Sequence, residues 1–337
     1  MGHATRCIPI INALLKANFE PVLASDGDAL LLLQKEFPFL KSVELPSYNI
    51  RYPKNGKYLR FKLLLQLPAI ISVIKKEQIF VSQLIDKENI TGIISDNRFG
   101  VYSKKVPSIY ITHQLNVLSG KTTFITSKIH QKVIKKFDEC WVPDLEGNTN
   151  FSGVLGHLKK HHFQLKYLGI LSRFQPKNLE IKYDILVLLS GVEPQRTLLE
   201  NKLLNKLQHF NGSILMVRGV LNPSFDINAP GNFKIVNYLL ASDLEKAMNQ
   251  SNLVIARSGY STVMDLAAMG KKAFFIPTPG QFEQEYLAKR LQEKLMVPYS
   301  KQEEFTVSKL YDLANFSGFS KATSAVDLEL FKLFEGK

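Results

Sequence analysis

The chain is short of sulfur and of acid. Its two cysteines, Cys7 and Cys140, exclude a disulfide framework, and no His/Cys cluster has zinc spacing. That usage points to a reducing compartment. No apolar run reaches about 18 residues, which excludes a spanning helix. The polar start Met-Gly-His-Ala-Thr-Arg lacks the charged and apolar regions of a signal peptide. Arg6 stands where N-myristoylation of Gly2 would need Ser or Thr. Lys+Arg number 43 against 30 Asp+Glu, a net charge of +13. The excess is lopsided. Residues 1–170 hold 23 basic and 13 acidic side chains, +10, leaving 20 and 17, +3, for the remainder. The basic half therefore suits an anionic partner. No aromatic–basic RNA motif or recognition helix appears, so a nucleic acid is not expected.

What is present is a chain of 337 residues, 45% hydrophobic, long enough for two domains with cores of their own. Short apolar runs alternate with amphipathic stretches, the signature of α/β architecture with parallel sheets. Strands are predicted at Phe19–Ser25, Ile90–Ser95, Pro107–Thr112 and Cys140–Val142, then at Asp184–Leu189, Ser213–Val217, Phe233–Val236, Leu253–Ala256 and Ala273–Ile276. Helices are predicted at Leu198–Phe210, Ser242–Gln250, Ser261–Met269 and Gln284–Leu295. The polar, proline-bearing stretch Leu168–Tyr183 reads as a linker. The expected domains are 1–170 and 184–337, joined by 171–183. Gly2-His3 looks like the end of a glycine loop running into a helix; such a loop normally follows a first strand. No residues precede it here to form one, which reads as a truncated or misassigned start.

The richest stretch is Leu253–Gly270. A buried strand ends in a turn at Gly259, a helix follows, and Gly270 closes it. Backbone N–H groups and the macrodipole at such a helix start suit a phosphate. Ser258, Ser261 and Thr262 add hydroxyls, and Asp265 lies one turn in, where a carboxylate can hold a ribose diol. An ordinary capped helix with an exposed Asp has the same pattern. After the next strand, Gln281, Gln284 and Glu285 open another helix and suit sugar hydroxyls, or simply solvent. A third strand end, Leu188–Pro194, offers Ser190 and Gly191 to a phosphate. Three strand-to-helix loops at the carboxyl ends of parallel strands are the geometry of a nucleotide crevice.

The pattern Arg-Ser-Gly-x-x-Thr-x-x-Asp-x-Ala-x-x-Gly from Arg257, followed by Pro-x-x-x-Gln-x-x-Gln, resembles the nucleotide-sugar half of GT-B glycosyltransferases. The likeness is to the lipid II-forming peptidoglycan N-acetylglucosaminyltransferase family and its bacterial and archaeal relatives. Gly2-His3 is similar to that family's N-terminal glycine loop, and His113-Gln114-Leu115-Asn116 to its His-Glu-Gln-Asn segment. Gly169–Arg173 is similar to its Gly-x-x-x-Arg linker. The resemblance implies two Rossmann-like, doubly wound parallel-sheet domains facing a central cleft. It implies that Asp265 holds the ribose, that Arg257, Ser258, Gly259, Ser261 and Thr262 cradle the diphosphate with Arg173, and that backbone near Leu240 reads the uracil. Gln284 and Glu285 would take the donor sugar; Glu285 replaces a Gln.

The implied chemistry is inverting and metal-independent. Helix dipoles and Arg stabilise the departing UDP while a base activates an acceptor hydroxyl. No cofactor is expected, the UDP-sugar being a substrate. Asp26-Gly27-Asp28 has metal-motif spacing but reads as a turn. Base candidates are His3, then Asp96, then His113, each of which also has a plain structural reading. The transferred group would be a hexose or N-acetylhexosamine, and the acceptor a lipid-linked or cell-envelope glycan. Lys57–Lys76 is apolar with basic ends: an interfacial helix setting Leu63, Leu64 and Leu67 into lipid, or a core helix kinked at Pro68. Lys128, Lys132, Lys135 and Lys136 add a basic face, suiting a cytoplasmic enzyme peripheral on the inner, anionic face of the membrane. Lys159, Lys160, His161 and His162 read as a solvated basic patch. A sugar-nucleotide 2-epimerase and a catalytically incomplete GT-B subunit are the alternatives.

Overall fold

A computed structural model describes residues 2–48, 59–220, 231–322 and 326–335; the side chains of 59–65 and 67 are not among those described. The described residues divide into two compact units, one holding 2–48, 59–171 and 326–335, the other 172–220 and 231–322.

The N-terminal unit runs α1 (Gly2–Lys16), β1 (Leu23–Ser25), α2 (Gly27–Glu36), β2 (Ser42–Glu44), α3 (Leu59–Glu88), β3 (Ile93–Asp96), β4 (Ser108–Ile111), α4 (Thr123–Ile134), β5 (Glu139–Val142) and β6 (Gln164–Tyr167). Strands β3-β4-β5-β6 form a parallel sheet in that order, and β1 pairs with β2 in parallel. Strand β4 is buried at every position and β5 at all but its first, which is why both read as unbroken apolar runs. β2 and β6, short and half-exposed, carry no such run and have no counterpart among the expected strands.

Two expectations are corrected in this unit. Gly2-His3 is no loop: residues 2–16 are one helix, with His3 and Arg6 in its first turns. And residues 326–335, expected in the C-terminal domain, belong here. Phe331 and Phe334 join Ile10 and Ala13 of α1, Ile109 and Ile111 of β4 and Trp141 of β5 in one core. Phe334 packs so closely on Gly92 that a Cβ there would meet its ring at 2.1 Å.

Helix α3 extends to Glu88, well past the expected end at Lys76, with Pro68 inside it. Leu63, Leu64 and Leu67 lie outside the residues whose side chains are described. The helix is fixed by Glu77, fully buried, which accepts from Arg98 Nε at 2.7 Å, Tyr48 OH at 2.6 Å and Gly100 N at 2.9 Å. Arg98 also pairs with Asp26, the N-cap residue of α2, and Gly27 (φ +52°) and Asp28 open that helix, so Asp26-Gly27-Asp28 is a helix start rather than the turn expected.

The C-terminal unit runs β7 (Tyr183–Leu188), α5 (Gln195–Leu207), β8 (Ile214–Val217), β9 (Phe233–Val236), α6 (Ala241–Asn249), β10 (Ser251–Ala256), α7 (Tyr260–Met269), β11 (Lys272–Phe275) and α8 (Phe282–Glu293). Its five strands are all parallel, in the order β11-β10-β7-β8-β9. Ile185, Val187, Ile214, Met216, Ile255 and Phe274 share one core with Leu199, Leu203 and Leu207 of α5. Glu200, fully buried on α5, is held by Arg196 and by Arg218 Nε at 2.6 Å. The stretch read as a linker is no free tether. Phe174 is buried, Gln175 N donates to Glu245 at 2.8 Å, and Lys177 N donates to Asn249 at 2.7 Å, all within this unit.

Candidate functional site

In an open parallel sheet, ligands bind beyond the carboxyl ends of the strands where the strand order reverses. In the C-terminal unit that point lies between β7 and β10. The loop after β7 carries Ser190 and Gly191, both exposed; Gly191 sits at φ +102° with nothing within 4 Å of the place a Cβ would take. The turn after β10 is Arg257-Ser258-Gly259. Gly259 is the N-cap of α7, no side chain caps it, and it too has 4 Å of open space beside its Cα. Its φ of −70° suits any residue, so the backbone conformation does not call for a glycine there. Ser261 and Thr262 lie half-buried in the first turn of α7. The helix ends where expected: Gly270 takes the left-handed conformation at φ 62°, with Lys271 N bonding back to Leu266 O at 3.1 Å.

Asp265, one turn into α7, accepts a 2.6 Å hydrogen bond from Ser172 Oγ, and Arg173 faces it electrostatically. Burial outweighs both and pushes its carboxyl from 3.8 up to about 6. A carboxyl raised in this way beside a helix start is a candidate ligand group. The side chain of Arg173 also lies over the Phe174 ring at 4.7 Å.

Five other expected ligand residues bond to the protein itself. Arg257 is only 1% exposed. Its Nη1 donates to the carbonyls of Ile276 and Pro277 at 3.0 Å, and its Nη2 to Gln195 O and Gln302 Oε1. The guanidinium ties the turn after β10 to the loop after β11, the start of α5 and the segment after α8. Ser258 Oγ donates to Gln284 O at 2.7 Å. Gln284 itself accepts from Thr278 N at 2.8 Å and donates to Gln281 Oε1 at 2.7 Å, and Glu285 accepts from Gly280 N at 2.9 Å. These amide and carboxylate groups shape the loop before α8. Leu240 is the extended residue before α6, its carbonyl accepting from Leu244 N.

The N-terminal unit brings all three base candidates together, around a residue not among them. Arg6, 4% exposed, grips both oxygens of Asp96, with Nε 3.0 Å from Oδ2 and Nη2 on Oδ1. Its Nη1 lies 2.7 Å from His113 Nδ1 and its Nη2 2.9 Å from His3 Nδ1; His3 Nδ1 also lies 3.2 Å from Asp96 Oδ1. Asp96 ends β3, His113 follows β4, and the first turns of α1 cover both strand ends. Burial alone would raise the Asp96 carboxyl, but Arg6 and His3 hold it well below the usual carboxylate range. A carboxyl held that low is a weak base, which weighs against Asp96 as the second candidate. His3, with its side chain 54% exposed, is the accessible imidazole. The signal for Arg6 was its i, i+3 spacing from His3 on what is now seen to be a helix. Among the described residues, no group of three or more His, Cys, Asp or Glu side chains is placed to hold a metal ion.

Residues 196–315 match the glycosyltransferase family 28 C-terminal domain. The protein is a glycosyltransferase of the GT-B fold. Over 329 residues the chain is 23% identical to an uncharacterised glycosyltransferase of Methanosarcina acetivorans, covering 87% of this chain and 81% of the relative. It is 24% identical over 301 residues to the UDP-N-acetylglucosamine–N-acetylmuramyl-(pentapeptide) pyrophosphoryl-undecaprenol N-acetylglucosamine transferase of Haemophilus influenzae, covering 85% and 78%. A spinosyn rhamnosyltransferase shares the fold of the glycosyltransferase at a TM-score of 0.66 and 12% identity, over 99% of this chain and 97% of that one. The matched family segment holds the turn Arg257–Gly259, Asp265 and α8 of the glycosyltransferase, but neither Arg173 nor the loop Ser190–Gly191.

Proposed function

We propose that this glycosyltransferase is inverting and metal-independent, and that it moves a hexose or N-acetylhexosamine from a UDP-sugar to a hydroxyl of a lipid-linked or cell-envelope glycan. The observation that carries the donor half is the β7/β10 switch point: a helix start with a glycine N-cap, two glycines with open space, and Asp265 one turn away. The N–H groups of that start suit a diphosphate, and the ionised Asp265 suits the ribose hydroxyls. The name of the Haemophilus relative supports a UDP-linked donor and a polyprenyl diphosphate-linked acceptor. In the reaction the bond from the anomeric carbon to the diphosphate breaks with its electron pair leaving on UDP. The acceptor oxygen forms the new bond, and its proton passes to His3. Asp96, itself gripped by Arg6, keeps the imidazole oriented.

A membrane-linked acceptor is supported by α4. Phe124, Ile125 and Ile129 are 73%, 60% and 59% exposed on it, among exposed Lys121, Lys128, Lys132, Lys135 and Lys136. Apolar side chains ringed by lysines suit an anionic lipid surface. On α3, exposed Ile71 and Ile79 accompany Lys75 and Lys76. No helix among the described residues is long and apolar enough to cross a membrane.

Calorimetric titration of the full chain with UDP, with and without EDTA, tests the donor assignment. Saturable binding that chelation leaves unchanged is expected; no binding, or binding lost on chelation, refutes it.

A further inference from the structure

The histidines of the N-terminal cluster cannot all hold protons at will, because the group between them only donates. A guanidinium has five N–H donors and no acceptor. Arg6 Nη1, 2.7 Å from His113 Nδ1, therefore requires that nitrogen to be an unprotonated acceptor. The His113 proton must then sit on Nε2, with the ring neutral. His113 is 6% exposed, and an imidazolium there would set a second buried cation against Arg6. His3 is different. Its Nδ1 can accept from Arg6 Nη2 at 2.9 Å or, when protonated, donate to Asp96 Oδ1 at 3.2 Å, but not both. Only in the second arrangement does a neutral His3 present a bare Nε2 to an acceptor hydroxyl.

We infer that Arg6 is the positioning residue that allots the protons of this cluster: it locks His113 as an Nε2–H donor and leaves His3, turned to Asp96, as the base. The groups around the pair include Cys7, His3 and Arg6 on α1, Asp96 ending β3, Tyr110 on β4 and His130 on α4. His130 is itself held neutral, pushed down to about 4 by burial, and bonds Tyr110 OH at 2.9 Å. Cys7 is pushed up by burial and by Asp96 and stays a thiol. The role of His3 rests on the function proposed above; the state of His113 does not.

The test is a long-range proton–nitrogen spectrum of the full chain labelled with ¹⁵N-histidine, the His113 signals being assigned by their loss in His113→Gln. From about pH 5 to 8, where an ordinary imidazole changes charge, His113 is expected to remain neutral and protonated on Nε2. An Nδ1-protonated ring, or an imidazolium growing in around pH 6.5, the ordinary histidine value, would overturn the inference without recourse to any variant. In Arg6→Lys a compact ammonium cannot serve two carboxylate oxygens and two imidazoles at once. There the single His113 tautomer should give way to a mixture, and an unchanged spectrum would remove Arg6 from the role. The outcomes separate cleanly: if His113 behaves as stated but His3→Asn leaves transfer intact, the base assignment fails and the proton assignment stands.

Discussion

Replacing Asp265 with Asn should make the protein more stable and a poorer binder of nucleotide. Burial holds the Asp265 carboxyl at about 6, against 3.8 for the ordinary group, in spite of Ser172 and Arg173. At ~1.4 kcal/mol per pKa unit, ionising it in the folded chain costs about 3 kcal/mol more than in the unfolded one. The sign follows from linkage. With the folded pKa raised, the folded state holds the extra proton between the two values, so stability is full below about 4 and is lost as pH rises through about 6. Asn carries no charge, and its Oδ1 can still accept from Ser172 Oγ. Asp265→Asn should therefore gain about 3 kcal/mol over the parent at about pH 8 and close to nothing at about pH 4. Amide hydrogen exchange in α7 and β10 reads this locally, whatever the rest of the chain does. A gain of that size is roughly a hundredfold in protection. Affinity for UDP should fall about tenfold or more, the scale of a lost hydrogen bond to a charged group. Equal protection of parent and variant at the higher pH would refute the burial argument, as would an equal gain at both. Unchanged UDP affinity would remove Asp265 from the donor site.

Loss of the base in His3→Asn should lower kcat by about 10²–10⁴-fold while leaving UDP affinity within error, since His3 lies in the N-terminal unit; a kcat within threefold of the parent, roughly 0.7 kcal/mol, would exclude it. On α4, Phe124→Ser with Ile129→Ser should cut binding to phosphatidylglycerol vesicles about tenfold or more, from the apolar area no longer buried. Sedimentation with anionic and zwitterionic vesicles measures it; binding by the parent that ignores lipid charge and salt would count against a lysine-ringed lipid surface.

The fold was largely legible because both sheets are parallel and buried, and buried parallel strands write themselves as continuous apolar runs. β9 was placed to the residue, and β8 and β10 to within two. β2 and β6 were missed for the converse reason: three- and four-residue strands with half-exposed faces have neither a run nor a clear alternation. The last segment was assigned to the wrong unit because its Leu and Phe spacing shows that it must be buried but not against what. Only Gly92, whose missing side chain admits the ring of Phe334, records the partner, and it lies far away in sequence.

Site residues divide along the same line. The turn at Gly259 and the helix start after it were readable, because a backbone donor site needs only local sequence: a strand, a small residue, a helix. Arginines were not. Arg257 sits inside the most diagnostic motif and looked like a phosphate ligand, yet four acceptors brought from the loop after β11, α5 and the segment after α8 occupy both of its terminal nitrogens. Arg6 looked like a residue that merely spoils an acylation signal, yet its fork lands on Asp96 and two histidines. A long, always-charged side chain takes its role from the acceptors that tertiary packing sets within its reach, and those are contributed by other elements. It follows that in this enzyme the two arginines should respond oppositely to substitution. Lysine at 257 should loosen the loop before α8 and disturb donor binding only through that loop. Lysine at 6 should leave donor binding alone and redistribute the protons of the histidines that surround it.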